Sequence, residues 1–358
     1  GGAITLQTES ELNGSVLTVN IWNSTFSGNT ARKGGAIGLS SGVNVESGAP
    51  NTVNLNLSNS TFTGNQDLGG NPDDLYAFQQ TTGNETNVQF DNTIITGGCE
   101  YDGDQAVTFV SQGYNISKDA TCNFTQPTDH QNTDPLLGPL ADNGGPTQTH
   151  ALLPGSPAID AGMTDLAVDQ RGITRPQRTD DDIGAYEASC SFPASVGSEA
   201  ELNFAIGCYN VQSAAGDYAM TLTQDIALTA STTPIDNDTA GVALVVDGGG
   251  FSVDGQGTAD VRPFTIEADT TVTIQNMTIT GGDIRSSGGI ANEGTLTVLN
   301  STISGNQAIY GGGIENDGTL SLINSTVSNN RASDQANTGL GGGIYNSGTL
   351  NVASSTIA

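Results

Sequence analysis

The chain contains the stretch Leu296-Thr-Val-Leu-Asn-Ser-Thr-Ile-Ser-Gly-Asn306, and it repeats that stretch as Leu320-Ser-Leu-Ile-Asn-Ser-Thr-Val-Ser-Asn-Asn330. An earlier segment, Val272-Thr-Ile-Gln-Asn-Met-Thr-Ile-Thr-Gly-Gly282, follows the same pattern. The asparagine in the middle of each segment recurs every 24 residues, at Asn276, Asn300 and Asn324. Self-similarity at a fixed period of this length is typical of a repeat architecture in which successive units stack.

Within each segment apolar and polar residues alternate over short stretches, which is the pattern of β-strands with one buried face. Two or three such patches in 24 residues fit one turn of a right-handed parallel β-helix, a three-sided solenoid. The sequence therefore predicts an all-β fold of this class. The residues predicted to face inward are Leu296, Val298, Ile303, Ala308 and Ile314 in one coil, and Leu320, Leu322, Val327, Ala332 and Ile344 in the next.

Two kinds of residue recur where a coil must bend. Asparagines in the same context as the three above precede them in the chain, at Asn23, Asn59 and Asn92. We expect all six to stack in a ladder in which each amide bonds the amide of the next coil. Glycine motifs mark a second corner, where positive φ and close stacking favour glycine. They lie at Gly1–Ile4, Gly34–Ile37, Gly288–Ile290, Gly311–Ile314 and Gly341–Ile344.

The 358-residue chain is strongly acidic, with 9 Lys and Arg against 38 Asp and Glu and a net charge of −29. Nucleic acids and anionic membrane surfaces are bound through basic side chains, so neither is an expected partner. No stretch approaches the roughly 18 apolar residues of a membrane span, and the sequence opens without a signal peptide. Polycations, divalent ions and neutral glycans are compatible with this charge.

The four cysteines fall into two close pairs, which predict the disulfides Cys99–Cys122 and Cys190–Cys208. Four cysteines allow three connectivities, so the other pairings stay open at this point. A zinc site is the competing interpretation, but the chain has no Cys-x-x-Cys or paired His spacing that supports it. The even number of cysteines, together with abundant Asn, Thr and Ser, indicates an oxidising, extracellular setting.

Two segments leave the repeat and are predicted to cap coils. Glu199–Asn210 has helical spacing behind Ser198, an expected N-cap, and predicts a short helix that covers the start of a β-helix. Residues 134–162 are rich in Pro and Gly and predict a C-terminal cap. The expected sections are coils over 1–98, a C-terminal cap over 99–189, an N-terminal cap over 190–230, and further coils over 231–358.

The non-repetitive cap carries a resemblance to a known family. Asn132-Thr-Asp-Pro-Leu-Leu-Gly-Pro-Leu-Ala-Asp-Asn-Gly-Gly-Pro-Thr-Gln-Thr-His150, Gly155-Ser-Pro-Ala-Ile-Asp-Ala-Gly162 and Asp182-Ile-Gly-Ala-Tyr-Glu187 resemble the end region of bacterial choice-of-anchor Q domain proteins. These proteins are similar to the wider pectin-lyase-like and polymorphic outer membrane protein repeat families. The resemblance implies a secreted or surface-displayed right-handed β-helix, usually without known enzymatic activity.

The order of the parts differs from that family, because here the C-terminal cap precedes the capping helix and coils occur at both ends of the chain. Thr356-Ile-Ala358 stops within a repeat phrase, and Gly1-Gly-Ala-Ile4 begins where such a phrase ends. We therefore expect the chain to be one period of a longer tandem array or filament, or equivalently a fragment that spans two adjacent β-helical domains.

Candidate chemistry is weak in this sequence. The acidic run Asp180–Asp182 lies near Arg171, Arg175 and Arg178, so we expect ion pairs within the cap rather than a pair of catalytic carboxylates. Calcium is a weak alternative, with Asp180, Asp182, Asp236 and Asp238 as its candidate ligands, although none follows a known calcium-loop spacing. A Ser/His/Asp triad through His150 lacks the Gly-x-Ser-x-Gly motif that would support it.

The sequence thus predicts an extracellular, non-enzymatic structural protein whose identical units join end to end in a surface fibre or giant adhesin. Because polysaccharide lyases and hydrolases share the architecture, the alternative is a domain that binds or cleaves a glycan along a groove between coils. Outward-facing aromatic residues on one side of the solenoid would favour that alternative. The Trp and Tyr candidates in the coils are Trp22, Tyr310 and Tyr345.

Overall fold

The computed structural model describes residues 2–8, 14–41, 50–79, 83–103, 107–333 and 339–358. Gly1, the first residue of the earliest glycine motif, lies outside the described residues. The chain divides into two compact units, Gly1–Ser189 and Cys190–Ala358, which we call unit 1 and unit 2. In each unit the strands pair in parallel with the equivalent strands of the preceding and following coil. The predicted parallel β-helix is confirmed.

Unit 1 winds through four coils in the part of the chain that the structure describes. The first coil contains β1 (Ile4–Gln7), β2 (Val16–Trp22), β3 (Thr25–Ser27) and β4 (Thr30–Ala31). The second contains β5 (Ile37–Ser40), β6 (Thr52–Ser58), β7 (Thr61–Thr63) and β8 (Gln66–Asp67). The third contains β9 (Leu75–Phe78), β10 (Glu85–Asp91) and β11 (Ile94–Ile95), and the fourth β12 (Cys99–Asp102), β13 (Thr108–Ser111) and β14 (Ile116–Ser117). An antiparallel hairpin follows, formed by β15 (Leu137–Ala141) and β16 (Thr149–Leu152).

Unit 2 begins with β17 (Ala194–Val196) and the helix α1 (Glu199–Asn210). Its coils then contain β18 (Gly216–Leu222), β19 (Ile226–Ala227), β20 (Val242–Asp247), β21 (Ser252–Asp254), β22 (Phe264–Ile266), β23 (Thr271–Gln275), β24 (Thr278–Thr280) and β25 (Ile290–Asn292). They continue through β26 (Thr295–Leu299), β27 (Thr302–Ser304), β28 (Gln307–Ala308), β29 (Ile314–Asn316), β30 (Thr319–Ile323), β31 (Thr326–Ser328), β32 (Arg331–Ala332), β33 (Ile344–Asn346), β34 (Thr349–Ala353) and β35 (Thr356–Ile357).

The register of unit 2 follows the 24-residue period. The paired positions are Leu296 with Leu320, Val298 with Leu322, Ile303 with Val327, Ala308 with Ala332, and Ile314 with Ile344. The side chains of Leu296, Val298, Leu320 and Leu322 are completely buried. Burying one such aliphatic side chain stabilises the fold by about 2 kcal/mol before chain entropy is subtracted. The predicted inward-facing residues therefore pair from coil to coil, and all of them except Ala332 and Ile344, which are partly buried, lie in the interior.

The predicted capping helix is confirmed with its bounds. Ser198 is the N-cap, and its hydroxyl accepts a hydrogen bond from the main-chain N–H of Glu201. The buried face of α1 includes Leu202, Ile206 and Tyr209, which join the hydrophobic core of unit 2. The helix thus covers the first coils of this unit, where an open sheet edge would otherwise be exposed.

In unit 1 the coils continue beyond the repeat that is visible in the sequence, because β12, β13 and β14 pair with the strands of the third coil. Non-repetitive structure starts after Ser117. Phe124 then inserts into the core of unit 1, where its ring meets the ring of Phe90 edge-on at 5.0 Å between centroids. This buried aromatic residue closes the last coil of unit 1.

The glycine corner has both properties that were predicted for it. Gly311 adopts a φ of +56°, a conformation that residues with a Cβ rarely adopt. A Cβ on the next residue, Gly312, would lie 2.4 Å from the carbonyl oxygen of Arg331. Glycine is required at Gly311 because of its positive φ, and at Gly312 because the neighbouring coil leaves no room for a side chain.

Candidate functional site

The corner asparagines of unit 1, Asn23, Asn59 and Asn92, bind a segment of the cap. All three have positive φ, between 45° and 50°. We call residues 158–187 the cap segment. The amide Nδ2 of Asn23 donates to the carbonyl of Val168 at 2.8 Å, and the hydroxyl of Thr164 donates to Oδ1 of Asn59 at 2.9 Å. The cap segment therefore runs along the corner of three successive coils.

Asn92 makes the most buried of these contacts. Its Nδ2 donates to the carbonyl of Asp182, and its Oδ1 accepts from the main-chain N–H of Met163, both at 3.2 Å. The side chain is completely buried. A Cβ on Gly162 would lie 2.5 Å from Oδ1 of Asn92, so a glycine at 162 allows the cap segment to approach this closely.

The β15–β16 hairpin reaches the same side of unit 1 through His150. Nδ1 of His150 lies 2.7 Å from the carbonyl oxygen of Gly138, and Nε2 lies 2.8 Å from the hydroxyl of Ser27. Since a carbonyl only accepts, Nδ1 carries the proton and the Ser27 hydroxyl donates to Nε2. A Ser/His/Asp triad needs a carboxylate at Nδ1, and here Nδ1 bonds a main-chain carbonyl instead. The bond between His150 and Ser27 joins the hairpin to the first coil.

The predicted asparagine ladder is only partly correct. Asn276, Asn300 and Asn324 are stacked with positive φ, as a bend requires, and Nδ2 of Asn300 donates to Oδ1 of Asn276 at 3.4 Å. The side chains of Asn300 and Asn324 are exposed, however. In unit 1 the corner amides bond the cap segment instead of each other. All six corner asparagines share a positive φ, but they do not share a ladder of hydrogen bonds between their side-chain amides.

Two amide ladders lie at other positions of the coil, and their members Asn292, Asn306 and Asn316 are buried. Nδ2 of Asn292 donates to Oδ1 of Asn316 at 2.6 Å, and Nδ2 of Asn316 donates to Oδ1 of Asn346 at 2.6 Å. A second ladder joins Asn306 to Asn330 at 3.0 Å. These inward-facing amides also bond main-chain carbonyls, which satisfies polar groups that the tight corners bury.

The cap contains ion pairs as expected, but Asp180–Asp182 do not form them, because all three carboxylates that pair with the arginines lie outside that run. The pairs are Arg171 with Asp169 at 2.7 Å, Arg175 with Glu187 at 3.0 Å, and Arg178 with Asp160 at 2.9 Å. The first two are almost completely buried. Removing one partner of such a pair leaves an uncompensated buried charge, so these arginines hold the cap segment in one arrangement.

Several buried carboxyl groups of unit 1 have a raised pKa. Burial raises the pKa of Asp182 and of Glu187, and each carboxylate is satisfied by main-chain N–H groups. Burial also raises the pKa of Asp74 to about 6. Its carboxylate accepts from Nδ2 of Asn65 at 2.7 Å and from the N–H of Thr96 at 3.0 Å. Their hydrogen bonds lie at the corner before β9 and within the cap segment, while burial disfavours the ionised form of each carboxyl group.

The candidate calcium ligands are not brought together. Asp236 and Asp238 are exposed on a loop of unit 2, and Asp180 is exposed in the cap of unit 1. Asp182 is buried, and its oxygens accept from the N–H groups of Asp160 and Ala188. Among the residues that the structure describes, no three His, Cys, Asp or Glu side chains lie close enough to hold a metal ion.

Both predicted disulfides are formed, Cys99–Cys122 in unit 1 and Cys190–Cys208 in unit 2. Each ties a coil or helix to non-repetitive sequence beside it. Disulfides persist in oxidising compartments, so they indicate a secreted environment. Among the described residues, no helix is long and apolar enough to cross a membrane.

At one end of each unit, the described structure has a terminal coil whose strands are unpaired on their outer side and which no capping element covers. In unit 2 this coil contains β33, β34 and β35, and in unit 1 it contains β1, β2 and β3. Val352 is 46% exposed and Ile357 is 49% exposed, whereas their neighbours one coil back, Leu322 and Val327, are completely buried. Inward-facing apolar side chains are therefore left in contact with solvent at this edge.

The two edge coils carry the same pattern when they are aligned on their corner residues, Asn23 with a φ of 46° and Ser354 with a φ of 52°. The inward positions then correspond in pairs: Val19 with Leu350, Ile21 with Val352, and Phe26 with Ile357. The half-buried Phe26 stacks on Phe62 of the next coil, with ring centroids 4.6 Å apart. Each edge thus presents the side chains that an additional coil would cover.

A groove on unit 1 contains aromatic residues that the sequence patterns missed. It has a volume of about 420 Å³ and is lined by Tyr76 and Phe78 from β9, Gly38 and Ser40 from β5, and the basic residues Arg32 and Lys33. The glycine motif that marks the other coils is replaced before β9 by Asp73-Asp74, after an insertion rich in Gly and Asp. Buried and outward-facing residues alternate along Leu75-Tyr-Ala-Phe78, and this period of two is the sequence signal from which β9 could have been predicted.

No protein-family model matches the sequence, and comparisons with curated proteins and with solved structures found no similar protein. The function is therefore inferred from the geometry of the two units.

Proposed function

We propose that the protein is an extracellular, non-enzymatic structural β-helix, one unit of a surface fibre or giant adhesin in which units join end to end. The observation that supports this most directly is the matched pattern of the two edge coils, in which Val352 and Ile357 of unit 2 correspond to Ile21 and Phe26 of unit 1. A coil that follows β33–β35 needs apolar side chains at these positions, and β1–β3 carry them.

The stiffness of such a fibre comes from interactions that already exist inside each unit. Parallel coils lie about 4.8 Å apart, so every coil forms main-chain hydrogen bonds with the next along several sides. Aliphatic side chains stack inside, and the amides of Asn292, Asn316 and Asn346 bond from coil to coil, with Asn292 and Asn316 buried. An added unit would continue the main-chain hydrogen bonds, the aliphatic stack and the amide contacts. Because the stability of a solenoid is approximately a sum over neighbouring repeats, each added coil contributes its own interface.

The caps limit where units can join. Helix α1 covers the start of the coils in unit 2, and Phe124 closes the last coil of unit 1. Within the described residues, the last coil of unit 2 and the first coil of unit 1 are the terminal coils that lack such a cap. Joining them makes a complete β-helix with a helix cap at one end and the Phe124 cap at the other, whether the partner is the next copy in a tandem array or a separate chain.

A circular permutant tests this proposal. The permuted chain starts at Cys190, continues to Ala358, and is joined to Gly1 through a copy of residues 305–310, which complete a coil in unit 2. We expect β34 to pair with β2, so that the permutant unfolds in one transition and its edge strands become protected from hydrogen exchange. The six-residue copy is needed because six residues separate Ser304, the equivalent of Ala358, from the glycine motif that starts at Gly311.

Two lysine substitutions make the test specific. Val352→Lys should destabilise the permutant strongly, because position 352 becomes buried at the new junction, and should have a small effect on the natural order of units. Asn351→Lys, on the outward face of the same strand, should be mild in both chains. If the permutant unfolds in two independent transitions and Val352→Lys is as mild as Asn351→Lys, the edges are not complementary and the proposal is wrong.

A further inference from the structure

The groove that contains Tyr76 and Phe78 forms because the outward side chains of β9 are much larger than those of the neighbouring strand β5. The register places Gly38 beside Tyr76 and Ser40 beside Phe78, so two of the smallest residues adjoin two aromatic rings. On the other side of β5 the same positions are Thr5 and Gln7 of β1. The rings thus form one wall of a groove that runs along β5 for about 7 Å.

The fold does not require aromatic residues at these two positions. Tyr76 and Phe78 face outward, while Leu75 and Ala77 on the same strand are completely buried in the core. The equivalent outward positions in the first two coils are small or polar. Tyr76 and Phe78 are half-buried, so part of each ring is open to the groove, and two such rings side by side on the outer face offer a surface on which a ligand can stack.

The rim of the groove carries hydrogen-bond donors. Nζ of Lys33 pairs with Glu100 at 2.9 Å and lies 5.1 Å from the ring centroid of Tyr76, within the range of a cation–π contact. Arg32 is exposed, and within the described residues its guanidinium makes no ion pair or hydrogen bond. An unpaired guanidinium beside two aromatic rings offers several N–H groups to a ligand that rests on the rings.

We propose that this groove binds one or two pyranose rings of a neutral polysaccharide. The apolar face of a sugar ring can stack on Phe78 and Tyr76, while Arg32, Lys33 and Ser40 bond its hydroxyl groups. A volume of about 420 Å³ lies within the range of small-molecule sites. The net charge of −29 repels a polyanion over its whole length, so a neutral chain is favoured over an acidic one. The site does not depend on the joining of units, and its test is independent of the permutant.

Isothermal titration calorimetry of the whole protein tests the site with three neutral probes, cellohexaose, maltohexaose and mannohexaose, and with hexagalacturonate as an anionic probe of the same length. At least one neutral probe should bind, with an affinity above that of hexagalacturonate. Phe78→Ala and Tyr76→Ala should each weaken this binding about tenfold or more, whereas Tyr76→Phe, which keeps the ring, should stay within about threefold.

Trp22→Ala is the matched control, because Trp22 is an exposed outward aromatic residue of unit 1 on a different sheet. It should leave the affinity unchanged. Thermal unfolding followed by circular dichroism should show that Phe78→Ala and Tyr76→Ala fold normally. The proposal is overturned if no neutral probe binds at millimolar concentration, if hexagalacturonate binds more tightly than the neutral probes, or if Trp22→Ala weakens binding as much as Phe78→Ala.

Discussion

Removal of the Asn92 side chain should destabilise unit 1 much more than removal of the Asn324 side chain destabilises unit 2. The two residues occupy the same corner of their coils, with φ of 50° and 49°. They differ in what the amide contacts: Asn92 is completely buried against the cap segment, and Asn324 is exposed. Glycine is the informative substitution at both positions, because it tolerates positive φ and so changes the side chain without straining the backbone.

The expected magnitude follows from the contacts of Asn92. Asn92→Gly removes the hydrogen bond to the carbonyl of Asp182 and leaves the buried N–H of Met163 without its acceptor. A lost hydrogen bond costs about 1 kcal/mol, and an unsatisfied buried donor costs about 1–3 kcal/mol. The greater freedom of glycine in the unfolded chain adds about 0.5–1 kcal/mol at either position. The sum is about 2.5–5 kcal/mol for Asn92→Gly, against about 1 kcal/mol or less for Asn324→Gly.

The chain provides a separate reporter for unit 1, because its single tryptophan is Trp22. Denaturant unfolding followed by Trp22 fluorescence measures the stability of unit 1, and hydrogen exchange with mass spectrometry follows the coils of unit 2. The change in free energy of unfolding is obtained from the shift of the midpoint and the slope m. Asn92→Ala and Asn324→Ala should each cost about 1–2 kcal/mol more than the glycine variants, because alanine is strained at positive φ.

The contact with the cap segment is refuted as a source of stability if Asn92→Gly and Asn324→Gly cost the same within about 0.5 kcal/mol. A second readout separates this contact from a general loss of packing. In Asn92→Gly the cap segment, residues 158–187, should exchange faster while β6 and β10 remain protected. Equal loss of protection in the cap segment and in the coils would contradict a local docking role for Asn92.

Three further predictions concern the stability of unit 1, and each is measured by Trp22 fluorescence. Phe124→Ala should cost about 3–5 kcal/mol, because it opens a cavity beside Phe90 where the last coil is closed; a cost under about 1 kcal/mol would show that Phe124 does not close the core. Replacing Cys99 and Cys122 together by serine should cost about 3 kcal/mol, since their bond closes a loop with a sequence separation of 23, and the corresponding change at Cys190 and Cys208 in unit 2 should leave the Trp22 transition in place. Burial raises the pKa of Asp74 from 3.8 to about 6, so between these values the folded state holds a proton that the unfolded state has lost. The free energy of unfolding should therefore fall by up to about 3 kcal/mol as pH rises from about 4 to about 6. Asp74→Asn should remove that part of the decline, and an unchanged slope would contradict the raised pKa.

The coils could be predicted from the sequence because their neighbours in space are copies of themselves. Leu296 packs on Leu320 and Val298 on Leu322, so the period of the sequence is also the register of the sheet. Helix α1 was equally accessible, since its N-cap and its apolar spacing are both local signals. In these places the information that decides the structure lies within two or three dozen residues of the position it affects.

The cap segment could not be predicted in this way. Its bonds to the coils join residues far apart in sequence, as between Val168 and Asn23, which are 145 residues apart, or Thr164 and Asn59, which are 105 apart. No periodicity relates the two sides of these contacts. The aromatic groove was missed for a related reason, because the insertion before Leu75 displaces Tyr76 from the glycine motif that marks the other coils.

The asparagines show why a recurring residue need not have a recurring partner. Each coil must turn through positive φ at this corner, and asparagine adopts that conformation more readily than most other side chains do. The backbone requirement alone is therefore enough to retain Asn300 and Asn324 where their amides are exposed. In unit 1 the same amides are free to bond whatever lies beside the corner, and the cap segment uses them. The repeat fixes the conformation of the corner, and the neighbouring non-repetitive sequence decides whether its amides become a binding surface.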